Sequence, residues 1–489
     1  MTARVPVTTG TKRIARTITF ESQHEGARQS FPATVLTDLS TAGFDVVVKL
    51  GMGLLTLPQE PKLPPIISYH YSGPERHPGA SEGFWEVVHG ESTMGQMVRV
   101  LTNNADDATC AAFAETRVYA HSLRATLIEA YRHSPFLLQE AVENVCFGRS
   151  VPATIPRENC ALPSNTAVVS LLFMMAFSLL KRLCYGAFVE KRWNVSLANC
   201  SPDRVEAVIT GRPFPSPRDW RTLPVTRSQL FFADPFFSEG LGGVVVEAVN
   251  RRTGLGEILL VSDDGQRRLS NNSGAHYSYP CTISLRGSEF ILPEVASWSS
   301  PIIYGLEDKR MVEQKELSIA GSTPVVDPTL AEHEGRFYLF GNIPSVGNGA
   351  LFLWSSSSID GHFDLHPASP VRISPQGSRM GGGLLKLDKR LIRFGQTSTS
   401  GYGDGLIAFE VHVLTPDRYS EVLLGEIRLG HQRGPHTLNF YRDQLVFDSY
   451  RNRVSVLAGV RRLRALHQRR RRRATTTGPR MTRWSRAAS

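Results

Sequence analysis

The chain is poor in cysteine for its length, with six in 489 residues, no Cys-x-x-Cys pair and no Cys/His spacing suited to a metal. That argues against a disulfide-built scaffold and a zinc ribbon; no metal site is expected, and unpaired thiols fit a reducing, cytoplasmic setting. No apolar core follows Met1, so no secretory signal is read. No apolar run reaches the ~20 residues that a spanning helix needs, so no transmembrane segment is expected. The nearest is Ala167 to Leu180, fourteen residues ending at Lys181-Arg182, which reads as a helix capped by Thr166 and buried between two domains, the alternative being a helix lying in a membrane interface. The net charge of +10 is also absent from most of the chain, because residues 461–489 hold 11 Arg and no acid. The rest is close to neutral. The tail has no aromatic interleaving and reads as solvated and disordered; an anionic partner, RNA or a lipid surface, is what its charge would suit.

What is present is a repeat. An apolar lead-in, one residue and a Pro occur at Ala233-Asp234-Pro235, Ser278-Tyr279-Pro280 and Val326-Asp327-Pro328, with weaker echoes at Met380-Gly381-Gly382 and His436-Thr437. Each opening is followed by a turn and a second apolar strand, as in Phe290-Ile291-Leu292, Phe337-Tyr338-Leu339-Phe340, Leu391-Ile392-Arg393-Phe394 and Leu445-Val446-Phe447. Short strands joined by tight turns, five times at a period near ~50 residues, predict a five-bladed β-propeller over 220–460.

The N-terminal part reads differently. Phe44 to Gly51 is a continuous apolar run that suits a strand buried on both faces of a parallel sheet, with Pro65 to His70 and Gln96 to Leu101 as further strands and a short helix over Phe84 to His89. A helical stretch over His121 to Tyr131 precedes a Pro/Asn-rich region around Pro152, Pro156 and Pro163.

Two resemblances follow. Leu50 to Leu55, Ser68-Tyr69-His70, Gly79, Phe84-Trp85-Glu86, His89-Gly90-Glu91 and Leu101 to Asp106 resemble the second half of the formyltransferase catalytic domain that uses formyl-tetrahydrofolate. The resemblance implies a Rossmann-like half-domain, with His70 and Asp106 as catalytic residues and Ser68 where the family has Asn. In acyl transfer the donors face a developing oxyanion while a base takes the amine proton. A Ser hydroxyl is a shorter donor than an amide, and the family's first strands are not seen upstream of residue 35.

Ala233 to Phe236, Glu247, Ser278-Tyr279-Pro280, Pro293-Glu294, Asp327-Pro328-Thr329, Gly335 to Phe340, Arg379, Gln396 and Tyr402-Gly403 are similar to the N-terminal domain of plant glucosamine inositolphosphorylceramide transferases, and more distantly to the propellers of arabinanase-like glycosidases. In those glycosidases three carboxylates line an axial funnel. The resemblance implies a site of Asp234, Asp327 and Glu294, with Tyr279 where blade two would offer an acid, and with Gln396, His436, Arg379 and Tyr402 as polar contacts. Asp234 and Asp327 are read equally as turn caps. Trp298 and Trp354 could stack on a sugar or pack inside a blade.

The expected chain is therefore α/β plus all-β. It comprises a poorly ordered 1–30, a formyltransferase-like, N-terminally truncated region 31–150, a linker with an apolar helix 151–219, the propeller 220–460 and the tail 461–489. The expected function is carbohydrate-directed, a glycan being bound or processed in the funnel beside a degenerate formyltransferase region, with no cofactor required. The alternative is a formyl-tetrahydrofolate-dependent transferase acting on an amino-sugar.

Overall fold

The computed structural model describes residues 23–25, 28–50, 54–71, 82–102, 109–149, 151, 163–271, 274–285, 287–295, 297, 300–307, 309–399, 401–430 and 432–463. Asp106, Trp298 and the run Arg469 to Arg473 lie outside them. Within the segment expected to be poorly ordered, Gln23–Glu25 and Arg28–Ser30 pair as antiparallel strands.

After helix α1 (Ala33–Thr41), the N-terminal body is a mixed four-stranded sheet ordered Val47–Lys49, Ile66–His70, Thr93–Leu101, Thr109–Arg117. Only the first pair is parallel; the other two are antiparallel. The run from Phe44 is not the doubly buried strand its composition suggested, since Phe44, Val48 and Leu50 are exposed at an edge. Composition reports that a strand is apolar, not whether anything covers it. Helix α2 (Phe84–His89) forms where expected, between the second and third strands.

Helix α3 (Leu123–Cys146) starts at Ser122, whose Oγ accepts from the Ala125 N–H at 3.2 Å, and runs straight through Pro135 to Cys146, fifteen residues beyond the expected end at Tyr131. Pro at mid-helix removes one intrahelical hydrogen bond, so tertiary packing must hold the turn. Leu137 and Ala141 do so, seated on Ala111, Ala112 and Ala114, whose small side chains let the helix close on the sheet. Phe136 meets Phe352 of the propeller edge-on at 5.5 Å. Helix α4 (Asn165–Phe188) is ten residues longer than the apolar run, and its cap is Ser164 rather than Thr166. It is not the buried interdomain helix expected. Only Leu171 is buried, and Leu172 and Phe173 are 60% and 67% exposed.

The rest is a ring of five sheets, antiparallel except where Ser318–Ile319 pairs in parallel with His362–Leu365 at the edge of blade three. Blades one to four take their strands in order from 229–268, 278–316, 326–365 and 376–427. Blade five is composite, ordered Leu438–Tyr441, Gln444–Val454, Val189–Asn199, Trp220–Thr222. The stretch 151–219, expected as a linker, thus supplies strand Val189–Asn199 to the propeller, together with helix α5 (Pro202–Ile209). Its pairing with Gln444–Val454 is unbroken from Val189↔Val454 to Asn199↔Gln444. Buried clusters join each blade to the next, and Val195, Leu197 and Val446 of blade five close on Phe232 and Val244 of blade one.

Phe447, fully buried between Phe214 and Trp220 with both ring centroids at 4.9 Å, fastens the two chain segments of blade five. Phe447→Ala is expected to lower the unfolding free energy by roughly 3–5 kcal/mol in urea titration, as large-to-small core changes do. A loss under about 1 kcal/mol would show that closure rests elsewhere.

Candidate functional site

The repeat that marked the blades also marks the axis. In blades one, two and three the strand register slips at an equivalent place, between Ala233 and Phe236, Ser278 and Cys281, and Val326 and Thr329. Asp234, Tyr279 and Asp327 sit there at φ 48°, 44° and 47°, a left-handed conformation that non-glycine residues rarely adopt. Each is held in place by another blade. Asp234 Oδ1 accepts from Thr437 Oγ1 at 2.8 Å and lies 3.1 Å from His436 Nδ1, both of blade five. Asp327 accepts from Arg379 through both oxygens, at 2.5 and 3.1 Å, and from Gln396 Nε2 at 2.8 Å, both of blade four. The Tyr279 hydroxyl is 3.0 Å from Thr329 Oγ1 and accepts from the Gly382 N–H at 2.9 Å. Blade two therefore offers a phenol where blades one and three offer carboxylates.

A second ring was not singled out from the sequence as a set. Glu247, Glu294 and Asn342 occupy the same place in blades one to three, on the second strand opposite the residue that precedes the slip, while Gln396 of blade four pairs with Arg379 and Asp448 of blade five follows the Leu438↔Phe447 pair. Most of them secure the opening of a neighbouring blade. Asp448 accepts from the backbone N–H of Asp234 at 3.1 Å and, within its own blade, from those of His436 and Thr437 at 2.9 and 2.7 Å. Glu294 accepts from the Asp327 N–H at 3.0 Å, and Asn342 donates to the Ser378 carbonyl at 3.0 Å. In blades three and four the preceding residue is glycine. A Cβ at Gly341 would lie 3.0 Å from the Val326 carbonyl oxygen, and one at Gly395 would lie 2.2 Å from that of Gly377, so no larger side chain lets the strands close there.

Five carboxylates in a nearly dry space cannot all be ionised, and the cations sort them. Burial opposes a charge on His436, but Asp234 and Asp448 on either side outweigh it and raise the imidazole to about 10. Burial likewise opposes ionisation of Asp234, yet its hydrogen bonds with His436 and Thr437 hold it below the ordinary range. Glu247, pressed against Asp234 and Glu294, is pushed well up by burial first and those charges second. Glu294 is raised to about 8, by burial and then by Asp327. Two carboxylic acid–carboxylate pairs result, Glu247 with Asp234 and Glu294 with Asp327. Asp234, His436 and Asp448 also place one ligand atom each within 4.8 Å of one another.

Aromatic rings roof this network. Tyr402, 45% exposed, lies 4.6 Å from His436 and 5.2 Å below the Arg379 guanidinium carbon, and Trp193 approaches both Tyr402 and His436. His436 Nε2 is buried without a partner. Lys191 sits 3.9 Å from the Tyr450 ring centroid, its ammonium brought down to about 8 by burial against the pull of Asp404.

The residues named from the sequence thus divide. Asp234, Tyr279, Glu294, Asp327, Arg379, Gln396, Tyr402 and His436 converge on one axis. Trp354 does not join them and is wholly buried within blade three. Ser68 and His70 lie far from the axis, two residues apart on one strand, with Ser68 buried and the imidazole of His70 lowered to about 4 by burial, Arg99 and Lys49. Asp106 lies outside the described residues.

Residues 267–446, from the end of blade one into blade five, match the family described as glucosamine inositolphosphorylceramide transferase 1, N-terminal. Glucosamine inositolphosphorylceramide transferase 1 of Arabidopsis thaliana is 29% identical over 153 residues, 30% of this chain and 20% of that protein. The Oryza sativa subsp. japonica protein of the same name is 27% identical over the same shares. The chain spans about a fifth of the length of the curated relatives it matches. Among solved structures, an alpha-L-arabinofuranosidase from Lactobacillus brevis is similar at 12% identity and TM-score 0.34, over 45% of this chain and 83% of that one. A family 117 glycoside hydrolase from Zobellia galactanivorans is similar at 9% identity and TM-score 0.33, over 55% and 92%.

Glu294 and His436, like Glu247, bind more protons in the folded chain than in the unfolded one, so stability falls as pH rises through their window. For Glu294 the loss runs from the ordinary carboxylate range to about 8, and for His436 from the ordinary imidazole range to about 10. Unfolding midpoints are expected to drop steadily from pH 5 to pH 10. His436→Gln should flatten the upper part of that profile and Glu294→Gln the lower part; profiles parallel to wild type would refute the assignment.

Proposed function

We propose that the axial funnel binds a glycan and does not hydrolyse it. The observation that carries this reading is the convergence of carboxyl, amide, guanidinium and imidazole groups from different blades beneath one half-exposed aromatic ring. Sugar hydroxyls pair with fixed donor and acceptor sets of that kind, while an aromatic face covers the apolar side of the ring. Tyr402 is the stacking group, Arg379 and the free Nε2 of His436 are the donors, and Glu247 and Glu294 are the outer carboxyls. The match of blades two to five to a domain of a glycolipid-related transferase family supports a carbohydrate ligand.

Hydrolysis asks for an acid and a partner carboxylate at about 5–5.5 Å for retention or about 6.5–9.5 Å for inversion. Glu247 shares a side-chain hydrogen bond with Asp234, and Glu294 with Asp327, so these carboxyls are engaged with one another. Both oxygens of Asp327 are further engaged by the two-point contact with Arg379.

A glycan array probed with the full chain tests the reading. Wild type is expected to bind a restricted set of glycans, Tyr402→Ala to bind them at least about tenfold more weakly with its unfolding midpoint unchanged, and Asp234→Ala with Asp327→Ala to lose binding. No glycan bound by wild type, or equal binding by Tyr402→Ala, would sink the proposal. Reducing sugar released from a bound glycan would show catalysis instead.

A further inference from the structure

Helix α4 presents an apolar surface that the rest of the chain leaves uncovered. One narrow stripe, Ala167, Leu171, Met174 and Met175, packs against Phe84 and Val87 of α2. Around the remainder, Val169, Leu172, Phe173, Phe177, Leu180 and Leu183 face outward. The most apolar 18-residue window has a mean hydropathy of 1.8 and is only 6% buried. An ordinary core helix would be mostly covered, and a secretory signal would lie near the N-terminus, whereas this helix begins at residue 165. Exposed apolar area of this extent marks a surface that something else covers.

The surroundings say what covers it. Lys181 and Arg182 are exposed near the C-terminal end of α4. The strand pair that follows carries exposed Arg192, Arg451 and Arg453. Helical residues 458–463 dock at the same end, with Arg462 donating to the carbonyls of Tyr185 at 3.1 Å, Gly186 at 2.6 Å and Val189 at 2.6 Å. Arg461 holds Glu190, the acid in that neighbourhood, at 2.8 Å. Val456, Leu457 and Leu463 extend the exposed apolar surface alongside these cations. Nine more Arg and no acid follow in residues 464–489.

We propose that α4 and residues 454–463 form a docking face for an anionic lipid bilayer, with the helix lying in the membrane interface. An apolar helix flanked by exposed cations joins burial among acyl chains to attraction for anionic headgroups, and a dense Arg segment adds to the second term. At 24 residues α4 is long enough to cross a bilayer, but the fold holds it on one side. The chain before the helix and the chain after it touch one another through Phe136 and Phe352, and α4 itself is fastened to α2, so the bodies on its two ends occupy one aqueous phase.

The test is flotation of the full chain with phosphatidylcholine vesicles, with and without phosphatidylglycerol. Wild type is expected to float with the anionic vesicles, to do so less as salt rises, and to float weakly with the neutral ones. Phe173→Glu with Leu180→Glu, both at exposed positions, should cut the bound fraction at least about tenfold, and changing Arg469 through Arg473 to Gln should remove most of the anionic preference. Cys184 is an exposed thiol on the helix, and a polarity-sensitive fluorophore placed there in a Cys146→Ser, Cys160→Ser background gives a reading independent of the charge variants. Its emission should shift to the blue on adding anionic vesicles. Absence of flotation with either composition, flotation unchanged in the double Glu variant, or unshifted emission overturns the proposal. A wild type that is dimeric in solution, becomes monomeric in the double Glu variant and ignores vesicles would assign the face to a second copy of the chain and overturn it equally.

Discussion

Everything after residue 188 depends on one non-local ladder, the pairing of Val189–Asn199 with Gln444–Val454. A propeller whose first and last blades were each complete would close by side-chain packing alone. Here the last sheet draws its two inner strands from the end of the chain and its two outer strands from before blade one, so backbone hydrogen bonds seal the ring. About 250 residues separate the paired strands, and closing a loop that long costs chain entropy that only completed contacts offset. The buried residues of that ladder, Val195, Leu197, Val446 and Phe447, serve two blade interfaces at once.

The polar axis inherits its order from that closure. Asp448 lies on the closing strand and gathers the backbone N–H groups of Asp234, His436 and Thr437, so the side chain that helps set the charge of His436 also pins blade one to blade five. Buried charge is costly unless paired, and each buried carboxylate on the axis has its own counter-group. Asp234 and Asp448 share His436, Asp327 has Arg379 and Gln396, and Glu247 and Glu294 remain protonated. Away from the axis the same rule governs blade four, where fully buried Arg393 binds both oxygens of Glu421 at 2.7 Å. The network acts as a structural hub, and its reactive groups are largely occupied by one another.

How much of this the sequence disclosed follows from what it repeats. The X-Pro openings recur because the left-handed bulge recurs, and they located Asp234, Tyr279 and Asp327 correctly. The companion residues recur too, in Val246-Glu247, Pro293-Glu294, Gly341-Asn342, Gly395-Gln396 and Phe447-Asp448, but they sit on second strands where no turn residue flags them. Attention to first strands alone left Asn342 and Asp448 unread. Blade five's outer strands were invisible for another reason: Val189–Asn199 has no local partner, and nothing in its own residues points to a strand that lies so far along the chain. Helix α3 passed through Pro135 because packing on three alanines outweighed a local penalty that sequence reading takes as a stop. Helix α4 was read as buried because its composition is that of a core helix, and composition does not say which side of the surface it lies on.

The same ladder ties the axis to that helix. Trp193 and Tyr450 stand on the closing strands at the mouth, with Trp193 5.2 Å from His436, and Tyr450 joins Asp404 there. Five residues before Trp193, the strand begins where α4 ends, and at ~3.3 Å per residue the two points are within about 17 Å. A two-stranded ribbon of that length is stiff. It is fastened at one end by Lys191 among the rings of Trp193, Tyr402 and Tyr450, and at the other by Arg462 on the last carbonyls of α4. Whatever covers α4 therefore lies at a fixed distance from the funnel mouth, and the ribbon couples the two by holding their positions, with no rearrangement of the blades needed.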